Sequence, residues 1–166
     1  MNAPYVSTFL GNRFYLTRPH IDDVAIEDIA HGLAYQCRFN GQTNAFYSVA
    51  QHSLMVMDLV QSEHRFAALL HDAAEAYLGD MVKPLKNLFP EFGAIEARVM
   101  AIIGEKFGLD LTHLASSIKQ ADLVALATEK RDLMPHFTEA WSYLADIKPL
   151  PQVIVPMSPG EAKEAF

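Results

Sequence analysis

The sequence predicts an all-α bundle of about five to seven helices with a short N-terminal β-hairpin. Three observations carry this. Apolar residues recur at i, i+3, i+4 and i+7 in successive segments, the signature of helices that bury one face. Helix start and stop residues punctuate those segments, with Ser48, Pro90 and Ser158 at starts and Gly79, Gly108 and Pro135 at ends. One stretch alone, residues 5–16, is rich in aromatic and β-branched types. At 166 residues, 51% hydrophobic and 20% charged, the chain reads as one globular domain over residues 1–166 with a sizeable core.

Taken in order, Tyr5 to Leu16 form the hairpin around a Gly11-Asn12 turn, and Pro19 ends it. Asp22 or Asp23 caps a helix whose Ile26, Ile29, Ala30 and Leu33 keep helical spacing. His31 in that helix reads as a structural or surface histidine. Arg38 to Asn44 is a polar loop closed at Gly41. Ser48 is the N-cap of a helix carrying His52. A helix from near Ser62 to Gly79 carries His71, Asp72 and Glu75, and a loop with Asp80, Lys83 and Lys86 follows. Pro90 opens a helix to about Phe107, with Phe92, Ile95, Val99 and Ile102 as its buried face and no candidate chemistry. A helix from about Thr112 to Met134 carries Asp122 and Glu129. A short helix from Phe137 to Leu144 carries Trp141. Residues 149–156 are extended, and Ser158-Pro159-Gly160-Glu161 starts a last short helix with a capping box.

A net charge of −7 and a pI near 5.4 weigh against binding a nucleic-acid polymer, which needs a basic surface. A small anionic substrate stays open, because a metal and a few local cations overrule the global field. The single Cys37 excludes an intrachain disulfide and suits a reducing compartment. Apolar runs fall short of the ~18 residues of a membrane span, and the N-terminus lacks a secretory pattern. The expectation is a cytoplasmic protein with no membrane partner.

The polar residues of Ala67-Ala68-Leu69-Leu70-His71-Asp72-Ala73-Ala74-Glu75-Ala76 stand out against almost pure Ala and Leu. Three ionisable groups buried there are costly unless paired, and a divalent cation ligated by His71 and Asp72 pairs them. His52 lies in a run of Val, Leu and Met. Leu114, Ile118, Asp122 and Leu126 form one i, i+4 row, which sets a carboxylate on an apolar stripe. A metal resolves that burial, and a salt bridge to Lys or Arg is the ordinary alternative. Glu129, almost two turns beyond Asp122, is placed to hold Arg131 or a histidine.

The order His52, His71-Asp72, Asp122 resembles the metal signature of the HD-domain phosphohydrolases. The likeness is nearest to the small branch that includes 5′-deoxynucleotidases and short dNTP triphosphohydrolases. Arg38-Phe39, Tyr47 to Ser53, His71 to Glu75, Gly79-Asp80, Lys83 to Lys86, and Ala121-Asp122 running into Ala127-Thr128-Glu129 all match.

That resemblance implies an HD-type helical bundle holding one divalent transition metal (Mn, Co, Fe or Zn) on His52, His71, Asp72 and Asp122. It implies Glu75 acting on the attacking water and Asp80 assisting near the scissile phosphate. Arg38 would contact the phosphate, with Lys83 as a weaker candidate beside Lys86. Phe39, where some deoxynucleotidases have Trp, either stacks on the sugar or base or is a core aromatic. The implied activity is release of phosphate from a nucleotide, foremost a deoxynucleoside 5′-monophosphate, in a protein with room to be a homodimer. A dNTP triphosphohydrolase would use the same ligands, and a catalytically silent HD-fold regulatory module is the non-enzyme alternative.

Overall fold

The computed structural model describes residues 3–166. The hairpin pairs β1 (Tyr5–Ser7) with β2 (Arg13–Tyr15) antiparallel, Val6 opposite Phe14. Gly11 turns the chain at φ +83°, a conformation that favours glycine. Phe14 is fully buried and stacks on Tyr77 at 3.8 Å, which anchors the hairpin to the bundle.

Helices make up the rest of the regular structure. They are α1 (Ile26–Tyr35), α2 (Val49–Asp58), α3 (Arg65–Leu69), α4 (Glu75–Leu78), α5 (Lys83–Lys86), α6 (Pro90–Phe107), α7 (Ser116–Leu133) and α8 (Pro159–Ala165). The all-α class with an N-terminal hairpin is as expected. The segments are more numerous than expected because the Ser62–Gly79 helix is broken and the Lys83–Lys86 loop is helical. Among the described residues no helix is long and apolar enough to cross a membrane.

The break in the Ser62–Gly79 segment corrects the expectation of one continuous helix. A 3-10 turn at Ser62–His64 leads into α3, and residues 70–74 form turns before α4. The backbone bonds Ala73→Leu70, Glu75→Asp72, Ala76→Ala73 and Tyr77→Ala74 all span three residues, the tighter 3-10 spacing. The His71 ring competes for the ladder by donating from Nδ1 to the Ala68 carbonyl at 2.7 Å. Gly79 then ends α4 at φ +89°, as expected.

Other boundaries shift for local reasons. Asp22 and Asp23 lie in a separate 3-10 turn, and α1 is preceded by Ala25 with no side-chain cap. Asp110 captures the N–H groups of Thr112 and His113, so α7 starts at Ser116 rather than Thr112. The expected helix at Phe137–Leu144 reduces to a 3-10 turn at Ser142–Leu144, with Trp141 before it. Expectations hold at Ser48, which accepts from Gln51 N–H at 3.1 Å, and at the Ser158–Glu161 capping box.

The packing centre is α2. It contacts α1, α3, α7 and α8, and Val49, Ala50, His52, Ser53 and Val56 on it are fully buried. α1 packs on α4 and α8 through Ile29, Leu33 and Ala34, where burying one Leu or Ile contributes roughly 1.5–3 kcal/mol. The extended segment 149–157 is strapped down from below: Gln51 donates to the Val155 carbonyl and accepts from Met157 N–H, each at 2.8 Å. Asp132 accepts from Ile154 N–H at 2.9 Å, and Arg131 donates to the Leu150 and Gln152 carbonyls.

Candidate metal centre

α2 delivers His52 and the turn after α3 delivers His71 and Asp72. His52 Nε2 is 3.2 Å from His71 Nε2, and Asp72 Oδ2 is 3.2 Å from His71 Nε2 and 3.6 Å from His52 Nε2. These three ligand atoms lie within 4.8 Å of one another, so His52, His71 and Asp72 can hold a metal ion. Asp122, on α7, adds its Oδ1 at 3.2 Å from His52 Nε2. It meets the cluster from the open side, its side chain 41% exposed, and stands outside the mutually close three.

Both imidazoles have their other nitrogen committed. His71 Nδ1 faces the Ala68 carbonyl, which can only accept, so Nδ1 carries the proton. His52 Nδ1 donates to Glu129 Oε1 at 2.7 Å. The two Nε2 atoms therefore face each other as lone-pair donors, an arrangement that needs a proton or a cation between them. Burial and the Arg38 charge push His52 down, yet the Glu129 and Asp122 carboxylates outweigh them and raise it to about 10. In the metal-free cluster a proton on His52 fills that role. Asp72, although desolvated, is held far below the ordinary carboxylate range by His71, His52 and Arg38.

Arg38 stands behind the cluster, its side chain 11% exposed, donating to Glu129 Oε2 at 3.1 Å and lying 3.7 Å from Asp72 Oδ2. Its Nε–H is buried and without a partner among the described residues. Arg38 opens a tight turn in which Phe39, Asn40 and Gly41 all take positive φ, at 55°, 51° and 72°. Phe39 lies with its ring 5.1 Å from the Arg38 guanidinium carbon and 6.4 Å from Trp141. Glu129 is fully buried and, though burial opposes it, is brought down to about 2 by Arg38, His52 and Tyr47. Of the two partners expected for it the histidine is found, together with Arg38; Arg131 turns away to Asp132 at 2.6 Å.

Glu75 opens α4 three residues after Asp72, and its Oε2 is buried without a partner among the described residues. Burial, with Asp72 and Asp80 adding to it, raises its pKa well above the ordinary value against the pull of Arg38 and Lys86. Asp80, in the loop beyond Gly79, is likewise raised by burial, and its backbone N–H meets the Gln36 side-chain amide. Glu75, His71 and Asp72 line a pocket of about 310 Å³ with Lys86, Glu96 and Thr112.

Lys86, not Lys83, is the lysine at this pocket. Its Nζ is 2.6 Å from Glu96 Oε1 and 3.5 Å from Glu75 Oε1. Lys83 is exposed, with its Nζ 5.6 Å from the Tyr143 ring centre. α6, read as plain scaffold, therefore brings a carboxylate to the site. Its buried face runs through Val99, Met100 and Ile103, while Phe92, Ile95 and Ile102 are half-buried. The signal was present: Gly93, Glu96, Ala97 and Met100 follow the i, i+3, i+4, i+7 pattern, and all four line the pocket.

No family model matches the chain. It is 41% identical over 163 residues to the uncharacterized protein YfdR of Escherichia coli strain K12, covering 98% of this chain and 91% of that protein. It is 37% identical over 174 residues to the uncharacterized protein RCAP_rcc00048 of Rhodobacter capsulatus, covering 94% of this chain and 88% of that one. Identity at that level along nearly the whole of both chains leaves one conclusion: this chain belongs to the family of YfdR.

Proposed function

We propose that this protein is an HD-type, metal-dependent phosphohydrolase that releases phosphate from a nucleotide, foremost a deoxynucleoside 5′-monophosphate. The observation that carries the reading is the pair of facing imidazole Nε2 atoms at 3.2 Å, both Nδ1 atoms occupied and the Asp72 carboxylate alongside. Two nitrogens with one or two carboxylates form a borderline donor set suited to manganese, iron(II), cobalt or zinc. When bound, such an ion supplies Lewis acidity and lowers the pKa of water.

The chain's own residues supply the rest. Glu75 Oε2, without a partner among the described residues, would take a proton from the water that attacks phosphorus. Burial raises its pKa, which makes the ionised carboxylate a stronger proton acceptor than an ordinary one. Arg38, whose Nε–H has no partner among the described residues, would offer it to a phosphoryl oxygen, while its pairing with Glu129 holds the guanidinium in place. Lys86 offsets further negative charge as the bond to the leaving oxygen breaks. Asp80, whose pKa burial raises, would return a proton to that oxygen.

The test is metal loading followed by product analysis. Purified protein stripped of metal and reloaded with manganese or cobalt should release inorganic phosphate from deoxynucleoside monophosphates. Glu75→Gln should keep the metal and lose roughly 10²- to 10⁴-fold in rate. Loss of metal in Glu75→Gln would make Glu75 a ligand and end this mechanism. Release of inorganic triphosphate from dNTPs, with monophosphates untouched, would favour the triphosphohydrolase.

A further inference from the structure

The pocket beside Glu75 holds one ammonium between two carboxylates. Lys86 Nζ sits 2.6 Å from Glu96 Oε1, a full charge-assisted hydrogen bond, but 3.5 Å from Glu75 Oε1, beyond good hydrogen-bond length. Glu96 wins the lysine. The second oxygen of Glu75, Oε2, is buried without a partner among the described residues, in a side chain only 7% exposed. The reach of Lys86 is short: it ends the one-turn α5, and its Nζ rests 5.7 Å from the Phe92 ring centre.

We propose that Glu96 is a positioning residue that keeps the Lys86 ammonium on the α6 side of the pocket and so leaves Glu75 free to accept a proton from water. The inference rests on the phosphohydrolase reading. With Glu96 neutralised, the nearest anion to the ammonium is Glu75. Capture there would set a full positive charge against the Glu75 carboxylate at Oε1 and make its other oxygen a weaker base. An ordinary partly exposed salt bridge would do none of this, since such pairs contribute little to stability and nothing to a rate.

Three full-length, metal-loaded variants separate the two: Glu96→Gln, Lys86→Met and the double substitution. Glu96→Gln should fold normally and lose roughly 10- to 100-fold in kcat with KM nearly unchanged, the pattern of a base withdrawn from the reaction. The double variant should recover most of that kcat, because no ammonium remains to capture Glu75, while KM rises for want of the cation. An unchanged kcat in Glu96→Gln, or a double variant no faster than it, overturns the proposal. A crystal structure of Glu96→Gln needs no turnover: Lys86 Nζ should move to within about 3 Å of Glu75, and an ammonium that stays on the α6 side also overturns it. Wild-type protein that releases no phosphate from any phosphomonoester would sink the phosphohydrolase reading, and the crystallographic comparison would still decide the role of Glu96.

Discussion

Glu129 divides its two carboxylate oxygens between His52 Nδ1 at 2.7 Å and Arg38 at 3.1 Å, with no solvent exposure. It thereby fixes which nitrogen of His52 faces the candidate metal site and neutralises a buried guanidinium. Glu129→Gln keeps the shape and removes the charge. Breaking one side of a buried charge pair costs roughly 3–5 kcal/mol, because the remaining partner is left uncompensated. Losing the carboxylate behind a ligating histidine weakens metal binding roughly 10- to 100-fold. Denaturant unfolding and a metal titration check both numbers. A variant within about 0.5 kcal/mol of wild type, the range of an ordinary surface substitution, would show that Arg38 and His52 find other partners.

At the scale of elements, the contact between α1 and α4 sets where Glu75 points. Gly32 on α1 lies so close to Ala76 that a Cβ there would meet the Ala76 Cβ and carbonyl oxygen at 2.9 Å. Neither atom can swing aside, so Gly32→Ala must part the two helices. The expected cost is roughly 1–3 kcal/mol of overpacking. Because Glu75 is the first residue of α4 while His71 and Asp72 sit on the preceding turn, the proposed phosphohydrolase should lose turnover in this variant and keep its metal. Thermal unfolding, metal analysis and phosphate release on one preparation test this. A variant that loses metal and rate together would show that α4 and the His71 turn move as one body.

At the scale of the molecule, the buried charges make stability depend on pH in opposite senses. Glu129 is depressed from 4.5 to about 2 in the folded state, so its contribution is present above about 4.5 and lost as pH falls toward 2. His52 is raised from 6.5 to about 10, so its contribution is full below about 6.5 and lost as pH rises toward 10. Metal-free protein should therefore show a thermal midpoint that is highest between these limits and falls on both sides. A metal held at the candidate site would take the place of the His52 proton, so its binding should release a proton and tighten as pH rises. Scans with chelator and with manganese should diverge above about pH 6.5, the loaded protein holding its midpoint. A chelated protein whose midpoint is flat from pH 6.5 to 10 would show that His52 does not hold that proton.

The sequence by itself determined what short-range chemistry controls. The hairpin turn at Gly11, the caps at Ser48 and Ser158, the stops at Gly79 and Gly108 and the Pro90 start each depend on partners within about four residues. His52, His71, Asp72 and Asp122 were legible as candidates because polar groups on apolar stripes demand a partner. The partners themselves were not. Glu129 meets His52 and Arg38 across 77 and 91 residues, and nothing local distinguishes them from Arg131 two positions away. Lys86 and Lys83 are equivalent on paper; the direction of one helical turn sends Lys86 to Glu96 and Lys83 to Tyr143. The break that lifts His71 out of a regular helix also lay beyond helical periodicity, because an Ala- and Leu-rich stretch reads as helix whether or not an imidazole has taken one of its carbonyls. Which charges pair is a property of the distances that packing creates, and only the tertiary structure contains those.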